Sequence, residues 1–112
     1  MKMDFKQVVL AAAALLITAG AHAMDAAAAK ALASKSACLA CHAADKKLVG
    51  PAYKDVAAKH KGQANAEATV AARIKSGGSG LYGPVPMPPQ PALKDDELKL
   101  LAAWVLAGAP DK

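Results

Sequence analysis

Cys38-Leu39-Ala40-Cys41-His42 is the stretch whose chemistry decides how this chain folds. Two thiols separated by two residues, followed at once by an imidazole, form the C-x-x-C-H pattern of covalent haem attachment. Each residue has a chemical reason to stand where it does. A porphyrin carries two vinyl groups, each of which takes one thiol as a thioether. A gap of two residues lets both sulfurs reach one edge of one ring. The histidine after Cys41 then lies beneath the iron and supplies its proximal nitrogen.

Competing readings of the motif fit less well. A thioredoxin-like redox pair belongs beside a βαβ pattern, and no segment here alternates as a strand. A structural zinc site needs four ligands, whereas the chain has two cysteines. One plain disulfide is compatible with an exported protein, but the motif sits just after an N-terminal helix in a small exported domain with no other cysteine, the setting of haem attachment.

Working outward, Asp25 is placed to cap a helix through the alanine-rich stretch 26–35, since alanine is the best helix former. An irregular stretch, 43–52, follows the motif, with Gly50-Pro51 as a breaker. Residues 53–61 read as a short helix stopped at Gly62. Asn65 is a suitable N-cap for a third helix through Ser76, with Val70 and Ile74 on its inner face and Gly77-Gly78 at its end. The last helix opens on Asp95, Asp96 and Glu97, where negative charge suits the helix dipole. Leu98, Leu101, Ala102, Val105 and Leu106 share one of its faces, and Gly108 and Pro110 end it. The fold class predicted is all-α.

Length gives a covalent haem a structural role as well. The 112 residues include only four aromatics and much alanine, so one small domain has little side-chain area from which to build a core. Such domains need a staple, and a covalent porphyrin is one. The first residues lie outside this fold. Lys2 and Lys6, an uncharged apolar run from Val8 to Ala19, and Ala21-His22-Ala23 make the basic, apolar, small-x-small sequence of a cleavable secretory signal. The expected domains are therefore residues 1–23, removed, and 24–112, retained, with export to the periplasm. Removing Lys2, Lys6 and Asp4 from 14 basic and 9 acidic residues leaves 12 and 8, a net charge of +4. That excess is scattered. It makes no run that tracks a phosphate backbone and no aromatic platform for bases, so nucleic acid is not expected. An acidic protein partner or simple solubility accounts for it.

Residues 78–91 carry three glycines and five prolines, which forbid a helix or a central strand. A long loop of this kind is functional or disordered, and its prolines stiffen it. Met87 sits in it as Pro86-Met87-Pro88-Pro89. Beyond Ala23 the only other methionine is Met24, at the expected new N-terminus. A thioether is a soft neutral ligand that favours ferrous iron, and flanking prolines keep the sulfur aimed in both oxidation states. Met87 is therefore the expected sixth ligand. His60, between Lys59 and Lys61 near a helix end, is expected on a solvated face.

Together these features identify a resemblance. The chain from residue 24 onward is similar to the short bacterial class I cytochromes c, monohaem periplasmic carriers of denitrifying and related bacteria. The resemblance rests on Cys38 to His42, Val49-Gly50-Pro51-Ala52-Tyr53-Lys54-Asp55-Val56-Ala57, Arg73-Ile74-Lys75, Gly83-Pro84-Val85-Pro86-Met87-Pro88-Pro89, Asp95-Asp96-Glu97 and Trp104-Val105-Leu106. It implies about four helices wrapped around one haem c, with His42 and Met87 as axial iron ligands. It implies that the Pro51 carbonyl accepts a hydrogen bond from the far nitrogen of His42, that Arg73 pairs with a haem propionate, and that Trp104 packs near the haem. Three positions depart from the better-known members. Tyr82 stands where they carry a tryptophan that donates to a propionate. Gln90 replaces an asparagine near the methionine sulfur. Ala33 replaces an aromatic where the first and last helices cross, leaving a gap to be filled.

The function expected is one-electron shuttling between redox proteins, with no enzymatic step, because both axial positions are filled. The resemblance implies a respiratory acceptor such as a nitrite reductase, a terminal oxidase or a cytochrome c peroxidase. Leu48, Val49, Pro84 and Pro86 would surround the exposed haem edge as a docking patch, with Lys35, Lys46, Lys47 and Lys75 around it. The expected protein is a monomer with no stable membrane insertion. Two other classes stay in view: a haem protein that binds a small gas in place of Met87, and a haem module held permanently in a larger complex.

Overall fold

The computed structural model describes residues 24–112. The expected signal sequence, 1–23, lies outside the described residues. Four α-helices are present among them: α1 (Ala26–Lys35), α2 (Tyr53–Lys59), α3 (Ala66–Ser76) and α4 (Asp95–Leu106). A 3₁₀ turn, Cys38–Ala40, follows α1. The described residues form no sheet; two isolated bridges, His42 with Lys47 and Gly78 with Met87, are the only extended pairings.

Each helix has a local cause. In α1 the Asp25 side chain accepts the Ala28 N–H at 3.0 Å, a cap contributing about 1 kcal/mol. Ala26, Ala29 and Ala33 form its buried face. The chain leaves α1 through Ala37, a non-glycine residue at φ 61°, and this left-handed step redirects it into the 3₁₀ turn. In α4 the Glu97 carboxylate accepts the Lys94 N–H at 3.0 Å, and Leu98, Leu101, Ala102, Trp104 and Val105 are buried.

Helix α4 is the hub, packing against α1, α2 and α3. Burying each large side chain of its inner face contributes about 1.5–3 kcal/mol. The replacement of an aromatic by Ala33 raised the expectation of a gap. Ala29, Ala33 and, on α4, Ala102 are fully buried, and small side chains on both helices allow a short interaxial distance.

Two local expectations are corrected. Asn65 occupies the N-cap position of α3, but its side chain makes no capping bond; its backbone carbonyl instead accepts from the Thr69 N–H and Oγ1, both at 3.0 Å. Helix α2 ends at Lys59, and His60 is its C-cap. His60 is 6% exposed and not on a solvated face. Its ring turns inward and its Nδ1 lies 2.8 Å from Gln63 Oε1. The flanking lysines obscured a spacing that gives the reason: Tyr53, Val56 and His60 fall at i, i+3 and i+7, one face of a helix.

Candidate functional site

The 3₁₀ turn explains why the attachment motif needs its spacing. The N–H groups of Cys41 and His42 both donate to the Cys38 carbonyl, at 3.2 and 3.0 Å. In a 3₁₀ turn, side chains three residues apart eclipse one another, so both sulfurs emerge on one side. Cys38 and Cys41 are unbridged. Burial pushes the Cys38 thiol above its ordinary range, opposed by its own backbone hydrogen bond and by the Tyr53 phenol.

Loop 43–52 folds back over the turn and fixes the imidazole. The Gly50 N–H donates to the Cys41 carbonyl at 2.7 Å, and the Tyr53 and Lys54 N–H groups donate to the Ala43 and Ala44 carbonyls. The His42 Nδ1–H donates to the Pro51 carbonyl at 2.8 Å. That bond selects the tautomer and leaves Nε2 as a free lone pair, the state a metal-binding imidazole requires. Tyr53 stacks on the ring from another side, with centroids 5.0 Å apart and planes at 17°. Gly50 supports it too: a methyl group there would lie 2.5 Å from Cε1.

Met87 is held on the far loop by its own backbone. Its N–H donates to the Gly78 carbonyl and its carbonyl accepts from the Gly78 N–H, each at 2.9 Å. Further along, the Gln90 N–H donates to the Lys75 carbonyl at 3.1 Å. The loop that sequence read as stiffened by prolines is therefore also laced to the C-terminal end of α3.

These pieces enclose a cavity of about 460 Å³, within the size range of cofactor sites. Cys38, Cys41, His42, Pro51, Arg73, Tyr82 and Met87 all line it. The walls between them are mostly apolar, with Val56, Val70, Ile74, Leu101 and Val105. Its mouth carries Val49, Leu81 and Val85, which are 57%, 36% and 59% exposed. At one end the Tyr82 hydroxyl is buried with no hydrogen-bond partner. Burial pushes this phenol above its ordinary range, partly offset by the Arg73 charge. Arg73 Nη1 reaches the Gly77 carbonyl only weakly, at 3.4 Å. An orphaned phenol beside an under-used guanidinium in an apolar cavity suits a carboxylate. No group of three or more His, Cys, Asp or Glu residues that would hold a bare metal ion occurs among the described residues. The residues present fit a covalently held haem.

Comparison with known proteins settles the family. The cytochrome c family profile matches residues 26–109. The chain belongs to the cytochrome c family. This cytochrome c is 54% identical over 98 residues to cytochrome c-551 of Pseudomonas aeruginosa, spanning 88% of this chain and 90% of the relative. It is 48% identical over 96 residues to cytochrome c-551 of Stutzerimonas stutzeri, spanning 83% and 91%. The crystal structure of wild-type Nitrosomonas europaea cytochrome c552 superposes with a TM-score of 0.68 at 44% identity, covering 70% of this chain and 98% of that one. The class 1 cytochrome MtoD from Sideroxydans lithotrophicus superposes at 0.67 with 32% identity, covering 79% and 100%. The expected all-α class I fold is thereby established. With a single C-x-x-C-H motif, this cytochrome c carries one covalent haem c and is a monohaem electron carrier, not an enzyme.

Two expected site residues stand apart from the cavity wall. Trp104, 2% exposed, does not line the cavity. Its Nε1–H donates to the Pro110 carbonyl at 2.9 Å, and its ring meets Tyr53 edge-on at 5.3 Å. It reaches His42 through Tyr53. Gln90 is likewise off the wall, and its recorded bonds are those of its backbone. Sequence reading missed Gly50, Tyr53 and His60 as wall residues of this cytochrome c. Their signals were the Tyr53–Val56–His60 spacing and a glycine directly before Pro51.

Proposed function

We propose that this cytochrome c is a periplasmic one-electron carrier whose iron is ligated by His42 and Met87 and which serves a respiratory acceptor. One observation carries the reading. Both side chains line one cavity, and hydrogen bonds independent of the metal hold the His42 ring, through Pro51 at 2.8 Å, and the Met87 backbone, through its paired 2.9 Å bonds with Gly78. Haem c, when bound, supplies the one-electron iron couple. The protein's part is to keep both donors in place in either oxidation state, so little rearrangement accompanies transfer. A histidine and methionine pair also raises the potential.

Arg73 and the Tyr82 hydroxyl are assigned to a propionate. The guanidinium supplies a counter-charge to a carboxylate in an apolar setting, and the phenol supplies a hydrogen bond. Trp104 backs the Tyr53–His42 stack, and Gln90 flanks the Met87 loop. Val49, Leu81, Val85 and the loop prolines make an apolar rim suited to brief docking, with Lys47 on the cavity edge. Lys35, Lys46 and Lys75 are exposed and steer acidic partners toward the rim. The carrier acts as a monomer after export and removal of residues 1–23. Nitrite reductase, terminal oxidase and cytochrome c peroxidase are the acceptor classes that fit this role.

The test is the visible absorption of protein isolated from the periplasm. Sharp α and β bands on reduction and a weak red sulfur-to-iron charge-transfer band on oxidation are expected. The M87A variant should lose the red band and bind carbon monoxide when reduced. A wild-type oxidised spectrum without that band, or an M87A spectrum that retains it, excludes Met87 as ligand.

A further inference from the structure

Lys59 lies at the end of α2, outside every motif described above. Its side chain is not idle. The ammonium stands 5.1 Å from the centroid of the Tyr82 ring, within the range of a cation–π contact. Tyr82 sits in the loop between Gly80 and Gly83, whose φ angles are 102° and 118°. The loop's backbone bonds run within itself, between Gly78 and Met87 and from the Gly80 N–H to the Gly83 carbonyl, and to α3, from the Gln90 N–H to the Lys75 carbonyl. Among the described residues, no hydrogen bond or ion pair joins this loop to α2. The Lys59–Tyr82 contact is the polar tie between them.

Its placement matters because of what the other end of Tyr82 does. The hydroxyl is buried without a partner, on the wall of the haem cavity beside Arg73. We infer that Lys59 is a positioning residue for Tyr82, holding the phenol over the cavity so that its hydroxyl donates to a haem carboxylate, and thereby raising the reduction potential. This rests on the assignment of Arg73 and Tyr82 to a propionate. A cation against the ring face draws electron density from the phenol and strengthens its O–H as a donor. A better-neutralised carboxylate stabilises ferric iron less, so the balance moves toward ferrous.

The experiment is a spectroelectrochemical titration of the haem-loaded wild type and the K59M, K59R, Y82F and K59M/Y82F variants at one ionic strength. An exposed cation–π contact contributes about 0.5–1 kcal/mol, which is a two- to fivefold change in an equilibrium constant. Only the part of this energy that differs between the two oxidation states moves the redox equilibrium, so K59M should shift it toward ferric by up to about two- to fivefold, with the sulfur band unchanged. Arginine also stacks on aromatic faces, so K59R should hold the wild-type value. In the Y82F background the K59M change should largely vanish, because the hydroxyl through which it acts is gone. If Y82F shifts the potential while K59M leaves it unchanged, Lys59 is not a positioning residue, although the carboxylate assignment stands. If K59M shifts it equally with and without the hydroxyl, Lys59 acts as a distant charge and the inference fails. If Y82F leaves the potential unchanged, the carboxylate assignment itself falls.

Discussion

Gly77 lies directly against the backbone of the Met87 segment: a methyl group at position 77 would overlap the Met87 carbonyl oxygen and approach Pro89 N at 2.8 Å and the Pro88 carbonyl carbon at 2.9 Å. All three are backbone atoms and cannot swing aside as a side chain can. Gly77 also has φ 65° and ψ −156°, a conformation essentially confined to glycine, where another residue costs about 1–3 kcal/mol. The C-cap of α3 and the loop bearing the proposed sulfur ligand are thus in contact because one residue has no side chain.

G77A should therefore weaken or abolish the red charge-transfer band while leaving haem attached. Its melting temperature should fall by more than the left-handed strain alone explains. G62A is the control. Gly62 has φ 82° but nothing within 4 Å of its missing methyl, so it should lose about 1–2 kcal/mol with an unaltered spectrum. Equal spectra for G77A and wild type would show that the loop position does not depend on this contact.

Gly50 poses the same question for His42 without the backbone term. It is not among the positive-φ glycines, so any effect of G50A comes from the crowded ring, where Cε1, Nδ1 and Nε2 lie 2.5, 2.9 and 3.0 Å from the added carbon. The ring must tilt, loosening its 2.8 Å bond to Pro51. The expected outcome is a changed proximal-histidine resonance in the paramagnetic proton spectrum and a shifted potential. An unchanged resonance counts against the support role.

Trp104 should prove to be a stability residue. W104F removes the Nε1–H bond to the Pro110 carbonyl and opens a void behind Tyr53. A loss of about 1–3 kcal/mol is expected from the combined terms, read by denaturant unfolding. Because Tyr53 separates Trp104 from His42, the absorption spectrum should stay that of wild type. A large spectral change would place Trp104 at the haem itself.

The alkaline limb of stability should report Tyr53. Burial pushes its phenol well above the ordinary range. A raised value means that the folded state keeps a proton the unfolded state loses. The stabilisation is full below the unfolded value of about 10 and declines as pH climbs from there toward the folded value. Y53F should flatten the fall in melting temperature above about pH 10. An alkaline limb as steep as that of wild type would exclude Tyr53 as its source.

Most of the fold and part of the site were legible in the residues. Alanine content with Asp25 marked α1, acidic residues and apolar spacing marked α4, and glycine pairs marked the end of α3. Those signals are local, a matter of backbone freedom and capping within a few residues. The attachment motif was legible for a related reason, since covalent reach fixes the spacing of Cys38, Cys41 and His42 whatever surrounds them. His60 was misplaced because its charged neighbours were weighed above the spacing of Tyr53 and Val56. The unused side-chain cap of Asn65 shows that a favoured residue type does not guarantee the bond.

The sequence by itself determined an all-α domain stapled by one haem, with Met87 as the available sulfur, because propensity, capping and thioether chemistry act over short stretches. Only the tertiary structure decided that Gly50 lies against the His42 ring and Gly77 against the Met87 segment, that Tyr53 stands between Trp104 and His42, and that Lys59 reaches Tyr82. Each is a contact between segments distant along the chain or folded back on it. Such contacts depend on how close two backbones come once α4 has gathered the other helices around it, a distance that no local pattern encodes.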